Sequence, residues 1–143
     1  MKIAMACDHG GFELKEAIKE YLENQGVEIL DLGTNSTESV DYPQYGKACG
    51  EAVASGKAER GIVCCGTGIG ISIAANKVKG IRCSLCTDTN MAELTRKHND
   101  SNILAMGGRI TDVDTAKAIT QVWLDTEFEG GRHQRRVDLL DNM

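Results

Sequence analysis

Five short runs of apolar residues alternate with segments in which apolar residues recur at helical spacing. The short runs are apolar on both faces, which is typical of buried parallel strands: residues 2–7, 27–32, 61–65, 81–87 and 102–107. Helical spacing covers residues 14–22, 45–53, 71–78, 91–97 and 112–123, and a last helix is predicted at about 131–142. This alternation predicts an α/β fold: a single domain over residues 1–143 with a doubly wound, Rossmann-like parallel five-stranded sheet and helices on both faces.

Polar or glycine-rich sequence follows four of the predicted strands. The segments are DHGG at 8–11, GTGIG at 66–70, TDT at 87–89 and GGR at 107–109. In open α/β sheets, ligands bind beyond the carboxyl ends of the strands. We therefore expect the functional site at this edge of the sheet.

The glycine-rich loop of Gly66, Thr67, Gly68, Ile69 and Gly70 follows a strand and opens a helix. Closely spaced glycines allow backbone N–H groups to converge on an anion at a helix N-terminus, although a simple tight turn is the alternative. A dinucleotide fingerprint requires a further glycine where this chain has Ile71. However, Asp88 follows the glycines at about the sequence separation of the acidic residue in that fingerprint, which keeps the interpretation open. The lysine of a P-loop is absent.

Cys65 immediately precedes this loop. A helix N-terminus beside converging N–H groups favours the thiolate, so Cys65 is a candidate base or nucleophile. Its neighbour Cys64 should point to the opposite face of the strand and into the core. Cys83 and Cys86 form a C-x-x-C pair, but three residues apart on a strand they face opposite sides and cannot share a ligand. Cysteines within apolar segments indicate free thiols and a reduced, cytoplasmic protein.

Two further polar segments have both a functional and a plain structural interpretation. Asp8 and His9 follow the first strand and suit acid–base chemistry, or Asp8 caps the next helix. His98 and Asn99 precede the fifth strand, where they would otherwise form an ordinary polar loop.

Arginines near the end of the chain suit a phosphate group. Arg132 and Arg136 lie four residues apart and share one face of the last predicted helix, where two guanidinium groups can grip an anion bidentately. The alternative is a solvated helix end. Arg109, after another strand, supplies a third candidate cation.

Composition narrows the possible partners and cofactors. The net charge of −5 argues against a general nucleic-acid surface, so an anionic ligand requires a local group of cations. No apolar run approaches the roughly 20 residues that a membrane span needs, and the start of the chain does not read as a signal peptide. No His, Cys and carboxylate cluster has metal-ligand spacing, so we predict no metal and no cofactor.

Taken together and in order, several segments resemble the type B ribose-5-phosphate isomerase family. They are CDHGGFELK, DYPQY, CCGTGIGISIAANKVKGIR, HNDSN and EGGRHQRRV, and the resemblance covers essentially the whole chain. The wider family includes allose-6-phosphate isomerases and both subunits of galactose-6-phosphate isomerase. The resemblance implies a cofactor-free aldose–ketose isomerisation of a sugar phosphate.

The resemblance also implies a role for each matching position. Cys65 corresponds to the base, the loop 66–70 with Thr67 to the donors that hold the enediolate, and His98 to the acid that opens the sugar ring. Asp8 and Asn99 correspond to contacts with the ring oxygen or hydroxyl groups. The phosphate contacts correspond to His9, Arg109, Arg132 and Arg136. One branch of the family uses a glutamate just after the loop, where this chain has Ile71, so the base remains Cys65.

We expect a homodimer or a dimer of dimers with active sites shared between subunits. His98 precedes a strand whereas Asp8 and Cys65 follow strands, and the two ends of parallel strands lie at opposite edges of a sheet. The resemblance agrees, because His98, Asn99 and Arg109 match residues of the neighbouring subunit. Three alternative functions remain: isomerisation of a six-carbon sugar phosphate, a non-catalytic nucleotide-binding module, and a sugar-phosphate sensor.

Overall fold

Five parallel strands form one sheet in the computed structural model, which describes residues 1–143. The strands are β1 (Lys2–Cys7), β2 (Glu28–Asp31), β3 (Arg60–Cys65), β4 (Cys83–Leu85) and β5 (Ile103–Gly107), in the spatial order β2-β1-β3-β5-β4. The predicted α/β fold with a parallel five-stranded sheet is confirmed. The outer strands β2 and β4 are shorter than predicted, since an edge strand has a pairing partner on one side alone.

Six α-helices connect and cover the strands. They are α1 (Phe12–Glu23), α2 (Tyr42–Ala54), α3 (Ile69–Asn76), α4 (Thr89–Asn99), α5 (Val113–Asp125) and α6 (Arg132–Asp141), and a short 3-10 helix spans His9–Gly11. None of the helices combines the length and the apolar character that crossing a membrane requires.

The sheet separates two apolar cores. On one face, strand residues pack with side chains of α1, α4 and α5, and on the other face they pack with α2 and α3. Cys64 belongs to the first core and Cys65 to the second, as the alternation of side chains along a strand requires. Cys86 and Cys83 divide in the same way, so the prediction that these two cysteines face opposite sides is confirmed.

The order in which strands are added to the sheet reverses between β1 and β3. Strand β2 is added on one side of β1 and β3 on the other side, which opens a crevice at the carboxyl ends of β1 and β3. Cys7 and Cys64 are directly paired, so the segments that follow both strands leave the sheet at the same level. Those segments are 8–11 and 66–70, where the sequence predicted the site.

Helices α4 and α6 occupy a different end of the molecule. Helix α4 begins after the carboxyl end of β4 and runs back for 11 residues, about 16 Å, toward the amino edge of the sheet. Helix α6 packs against α4, and its Asp141 pairs with Arg82 just before β4. The C-terminal end of α4, with His98 and Asn99, therefore lies far from the carboxyl edge.

A buried ion pair anchors the loop that follows β2. Lys15 is fully buried and its Nζ donates to Asp31 Oδ1 and to the Thr34 carbonyl, both at 2.8 Å. Burial acts to raise the pKa of Asp31, but hydrogen bonds from Lys15, the Gly33 N–H and Lys19 outweigh it and lower that pKa. The Thr34 N–H in turn donates to the Cys7 carbonyl at 2.8 Å, so the pair fixes this loop beside the end of β1.

Candidate active site

Cys65 ends β3 and is held against the glycine-rich loop. Its side chain is almost fully buried, and its Sγ accepts a hydrogen bond from the Gly68 N–H at 3.1 Å. Gly68 has a φ of 81°, and a Cβ there would lie 2.7 Å from Leu85 Cδ1 and 2.8 Å from the Met106 carbonyl carbon. Only glycine turns its N–H back onto the sulfur in this space.

The remaining cysteines have the opposite environment. Burial raises the pKa of Cys7 to about 11 and that of Cys49 to about 12. Their thiols donate to the carbonyls of Thr34 and Ala4, an arrangement that needs the protonated form. Burial also raises the pKa of Cys64, Cys83 and Cys86. The sulfur of Cys65, by contrast, accepts a hydrogen bond from the Gly68 N–H.

The loop after Cys65 is closely packed on both sides. A Cβ on Gly10 would lie 3.0 Å from the Gly66 nitrogen, so the two glycine segments approach backbone to backbone. The ring of Tyr42 covers Gly70, where a Cβ would lie 2.7 Å from the ring. Thr67 is exposed, and its Oγ1 accepts from the Ile69 N–H at 3.2 Å at the start of α3. These contacts fix the N–H groups at the helix N-terminus beside Cys65.

Asp8 and His9 border the same crevice. Asp8 Oδ1 accepts from the N–H groups of Gly10 and Gly11 at 2.9 and 3.2 Å, so the predicted capping role is confirmed. Its Oδ2 makes no such bond and remains available to a ligand. His9 Nδ1 accepts from the Val40 N–H at 3.1 Å, which leaves the proton on Nε2 and makes that atom a donor.

Arg109 lies with Cys65 of its own chain. The Cys65 and Gly107 positions are paired between β3 and β5, and the Arg109 N–H donates to the Gly66 carbonyl at 2.9 Å. A Cβ on Gly66 would meet Arg109 Nη1 at 3.1 Å. Strand pairing therefore brings Arg109 to the loop of its own chain, whereas its predicted contribution to the site of a neighbouring subunit stays a prediction.

A second set of predicted residues gathers at the C-terminal end of α4. His98 is half-exposed there and Asn99 is exposed, while α6, which packs against α4, carries the exposed Arg132 and Arg136. Neither of these arginines forms a salt bridge, whereas Arg96 is paired with Asp100.

The predicted residues thus form two groups within one chain. The carboxyl-edge group comprises Asp8, His9, Cys65, the loop 66–70 and Arg109. The helix-end group comprises His98, Asn99, Arg132 and Arg136. Each group carries unpaired cations, and one chain does not bring the two groups together.

The helix-end group includes a contact that sequence analysis did not anticipate. The ring of His133 stacks on that of His98, with centroids 4.4 Å apart and planes 16° apart. Glu129 Oε1 lies 3.6 Å from His98 Nε2 and 3.9 Å from His133 Nε2. Burial and the adjacent His98 lower the pKa of His133, which favours its neutral ring. The pair of glycines between Glu129 and His133 was the sequence signal for this turn, because both adopt positive φ angles.

The fold and the carboxyl-edge group place a cysteine, converging backbone N–H groups and an unpaired arginine in the crevice of a parallel α/β sheet, an arrangement typical of enzymes that act on small anionic substrates. The chain belongs to the ribose/galactose isomerase family, whose model matches residues 3–140.

Individual relatives match this chain over nearly its whole length. Ribose-5-phosphate isomerase B of Escherichia coli is 50% identical, with 97% of this chain and 93% of that protein covered. The structure of Clostridium thermocellum ribose-5-phosphate isomerase B superposes with a TM-score of 0.98 at 53% identity, covering 99% of this chain and 96% of that one. The galactose-6-phosphate isomerase subunit LacB of Clostridium acetobutylicum is 39% identical, with 99% of this chain and 85% of that protein covered.

Proposed function

We propose that this chain interconverts ribose 5-phosphate and ribulose 5-phosphate through an enediolate, with Cys65 as the base. The observation that carries the proposal is the hydrogen bond from the Gly68 N–H to Cys65 Sγ at the opening of α3. The relatives support the pentose, since two proteins at 50% and 53% identity are named ribose-5-phosphate isomerase B. Residues 1–143 act as a single sugar-phosphate isomerase domain.

The reaction requires an open sugar, a base and stabilised enediolate oxygens. His98 acts as the acid that protonates the ring oxygen, and Cys65 then removes the proton from C2. The N–H groups of the loop 66–70, together with Thr67, stabilise the negative charge on the enediolate oxygens until the proton returns to C1. A general base contributes about 10²–10⁴-fold, and each preorganised oxyanion donor about 10²–10³-fold.

The phosphate and hydroxyl groups orient the sugar. His9 Nε2 and the guanidinium groups of Arg109, Arg132 and Arg136 bind the phosphate, while Asp8 Oδ2 and Asn99 contact the ring oxygen or hydroxyl groups. Four donors around one phosphate offset the net charge of −5 locally. Binding energy from the remote phosphate is used to hold C1 and C2 against the base.

A homodimer completes this site, because each chain contributes one group to each of two sites. Exposed apolar side chains flank the short edge strand β4 and support an interface there. Ile69 and Ile73 of α3 lie on one side of β4, and Met91 and Leu94 of α4 lie on the other, each at least 40% exposed. Apolar residues gathered around a sheet edge are typical of an oligomer interface.

A two-fold axis at this edge that runs perpendicular to the strands reverses the strand direction of the second chain. The N-terminus of α3, beside Cys65, is then on the same side as the C-terminal end of the partner's α4, which presents its His98 equivalent. Each site of the dimer is therefore composite. All six cysteines are free, which supports a reducing cytoplasmic location.

Subunit mixing tests the composite site. We expect Cys65→Ala and His98→Ala to be nearly inactive separately. After co-refolding of equal amounts, half of the dimers pair one of each and regain one intact site of two, so about a quarter of wild-type activity returns. If heterodimers form, as shown by tagged subunits, and no activity returns, the site is contained in one chain.

Turnover assays across sugar phosphates test the substrate. We expect kcat/KM to be highest for ribose 5-phosphate and lower for allose 6-phosphate and galactose 6-phosphate. The LacB relative makes the six-carbon substrates the second candidate. Preference for a hexose phosphate would overturn the pentose assignment, and absence of turnover on every sugar phosphate would overturn the enzyme itself.

A further inference from the structure

His98, Glu129 and His133 together offer three metal-ligating atoms. All three atoms lie within 4.8 Å of one another, and no other group of three His, Cys, Asp or Glu side chains in residues 1–143 comes so close. Tetrahedral zinc with bonds of about 2.0–2.2 Å holds its ligand atoms about 3.3 Å apart. The largest separation must therefore shorten by about 1.5 Å, and the His98 ring must rotate out of its stack on His133 so that both nitrogen lone pairs point at the ion.

The backbone holds this cluster in place without help from a ligand. The Glu129 N–H donates to the Lys97 carbonyl at 3.2 Å, which fixes Glu129 beside the end of α4 where His98 lies. Gly130 and Gly131 then turn the chain with φ angles of 69° and 58° and start α6 at the position that brings His133 back to Glu129. Two backbone elements therefore set the positions from which the three side chains can converge on an ion.

The exposure of the three side chains divides them into an anchor and two movable ligands. The side chain of His133 is 11% exposed, whereas those of His98 and Glu129 are 41% and 51% exposed. A rigid imidazole with two side chains that can rotate toward it suits capture of an ion from solution. Two imidazoles and one carboxylate select zinc, cobalt or nickel over magnesium or calcium, which prefer oxygen ligands.

We propose that His98, Glu129 and His133 form a binding site for a divalent transition metal ion such as Zn²⁺, and that its occupation inhibits the enzyme. The inhibitory part rests on the proposed function, in which His98 is the acid that opens the sugar ring. A metal ion bonded to His98 Nε2 takes the lone pair that would carry the proton, so ring opening stops. The positive charge of Arg132 and Arg136 on α6 opposes the cation, which makes the inhibition readily reversible by a chelator.

Metal binding is measured separately from catalysis. The metal-free protein is titrated with Co²⁺ and, by equilibrium dialysis, with Zn²⁺. We expect one ion per chain, a visible Co²⁺ spectrum of a nitrogen- and oxygen-ligated ion, and no sulfur-to-metal charge-transfer band. Cys65→Ala serves as the matched control and retains the ion, which excludes a zinc site on the catalytic thiol.

Two variants locate the site, and His133→Gln carries the activity test because the proposed mechanism assigns no step to His133. His133→Gln and Glu129→Gln should each weaken metal binding at least about tenfold. Zn²⁺ should inhibit the wild type, EDTA should restore its rate, and His133→Gln should keep its basal rate and resist Zn²⁺. Melting temperatures of both variants identify a folding defect, and either variant alone is sufficient for the binding test.

The outcomes separate this proposal from the proposed function. Absence of stoichiometric binding, or wild-type affinity in both variants, overturns the metal site. Binding that depends on His133 without any effect on turnover overturns the inhibitory consequence. A chain that binds one Co²⁺ at this site but turns over no sugar phosphate before metal is added contradicts the proposed function and leaves the metal site supported.

Discussion

Replacing Cys65 by alanine should remove the base and leave the fold intact. The neighbouring side chains have other proposed tasks: Asp8 Oδ2 contacts the ring oxygen or a hydroxyl group, and His9 Nδ1 accepts a hydrogen bond from the Val40 N–H while its Nε2 binds the phosphate. We therefore expect kcat to fall by at least about 10²-fold, the lower bound for a general base. That loss corresponds to about 2.7 kcal/mol of transition-state stabilisation.

Cys64→Ala is the matched control, because the adjacent cysteine lies on the same strand but in the opposite core. Its thiol is fully buried, and removing it costs roughly 1 kcal/mol of unfolding free energy, comparable to one buried methylene. The rate of isomerisation should stay close to wild type. The two variants therefore separate loss of chemistry from loss of packing.

The assay combines initial rates with isotope exchange. Formation of ribulose 5-phosphate over a range of ribose 5-phosphate concentrations gives kcat and KM, and thermal unfolding reports on stability. In D₂O, a proton passed through a base exchanges with solvent, so deuterium should enter C1 of the product with the wild type and with Cys64→Ala. A Cys65→Ala enzyme that remains active, or equal losses of activity in both variants, would refute the assignment of the base.

Three further predictions concern the cations, the buried ion pair and metal dependence. Arg136→Ala should raise KM for ribose 5-phosphate far more than KM for unphosphorylated ribose, and equal effects on the two would make the arginine structural. Asp31→Asn leaves the buried charge of Lys15 without its partner and should lower the free energy of unfolding, measured by chemical denaturation, by about 3–5 kcal/mol. The control Glu28→Gln, in the exposed pair with Lys2, should lower it by about 0–1 kcal/mol. Because the pKa of Asp31 is lowered, its contribution is complete above the ordinary value of 3.8 and is lost as pH falls through the lower folded value, which unfolding at stepwise lower pH measures. Exhaustive dialysis against EDTA should not lower the rate, and a loss restored by Zn²⁺ or Mg²⁺ would reveal a required metal.

The local pattern of apolar and polar residues was sufficient to predict most of the fold. Continuous apolar runs and the helical spacing between them reflect which residues face the core, and neighbours along the chain record that directly. The same logic separated Cys64 from Cys65 and located the glycine loop at the carboxyl edge. The two edge strands were shorter in the structure than in the prediction, because strand ends depend on pairing partners that are distant in sequence.

The grouping of the candidate site residues was decided by tertiary structure. Arg109 was expected at the carboxyl edge, but its contact with the glycine-rich loop depends on β5 pairing with β3, and no spacing along the chain reveals that strand order. The contact of His98 with Glu129 and His133 likewise depends on α6 packing against α4 across about 30 residues of sequence. Sequence alone identified the candidate residues, through side-chain type, local turns and the family resemblance. Which of them can meet was decided by the topology of the sheet, since contacts between distant segments arise when both bury apolar surface in a common core.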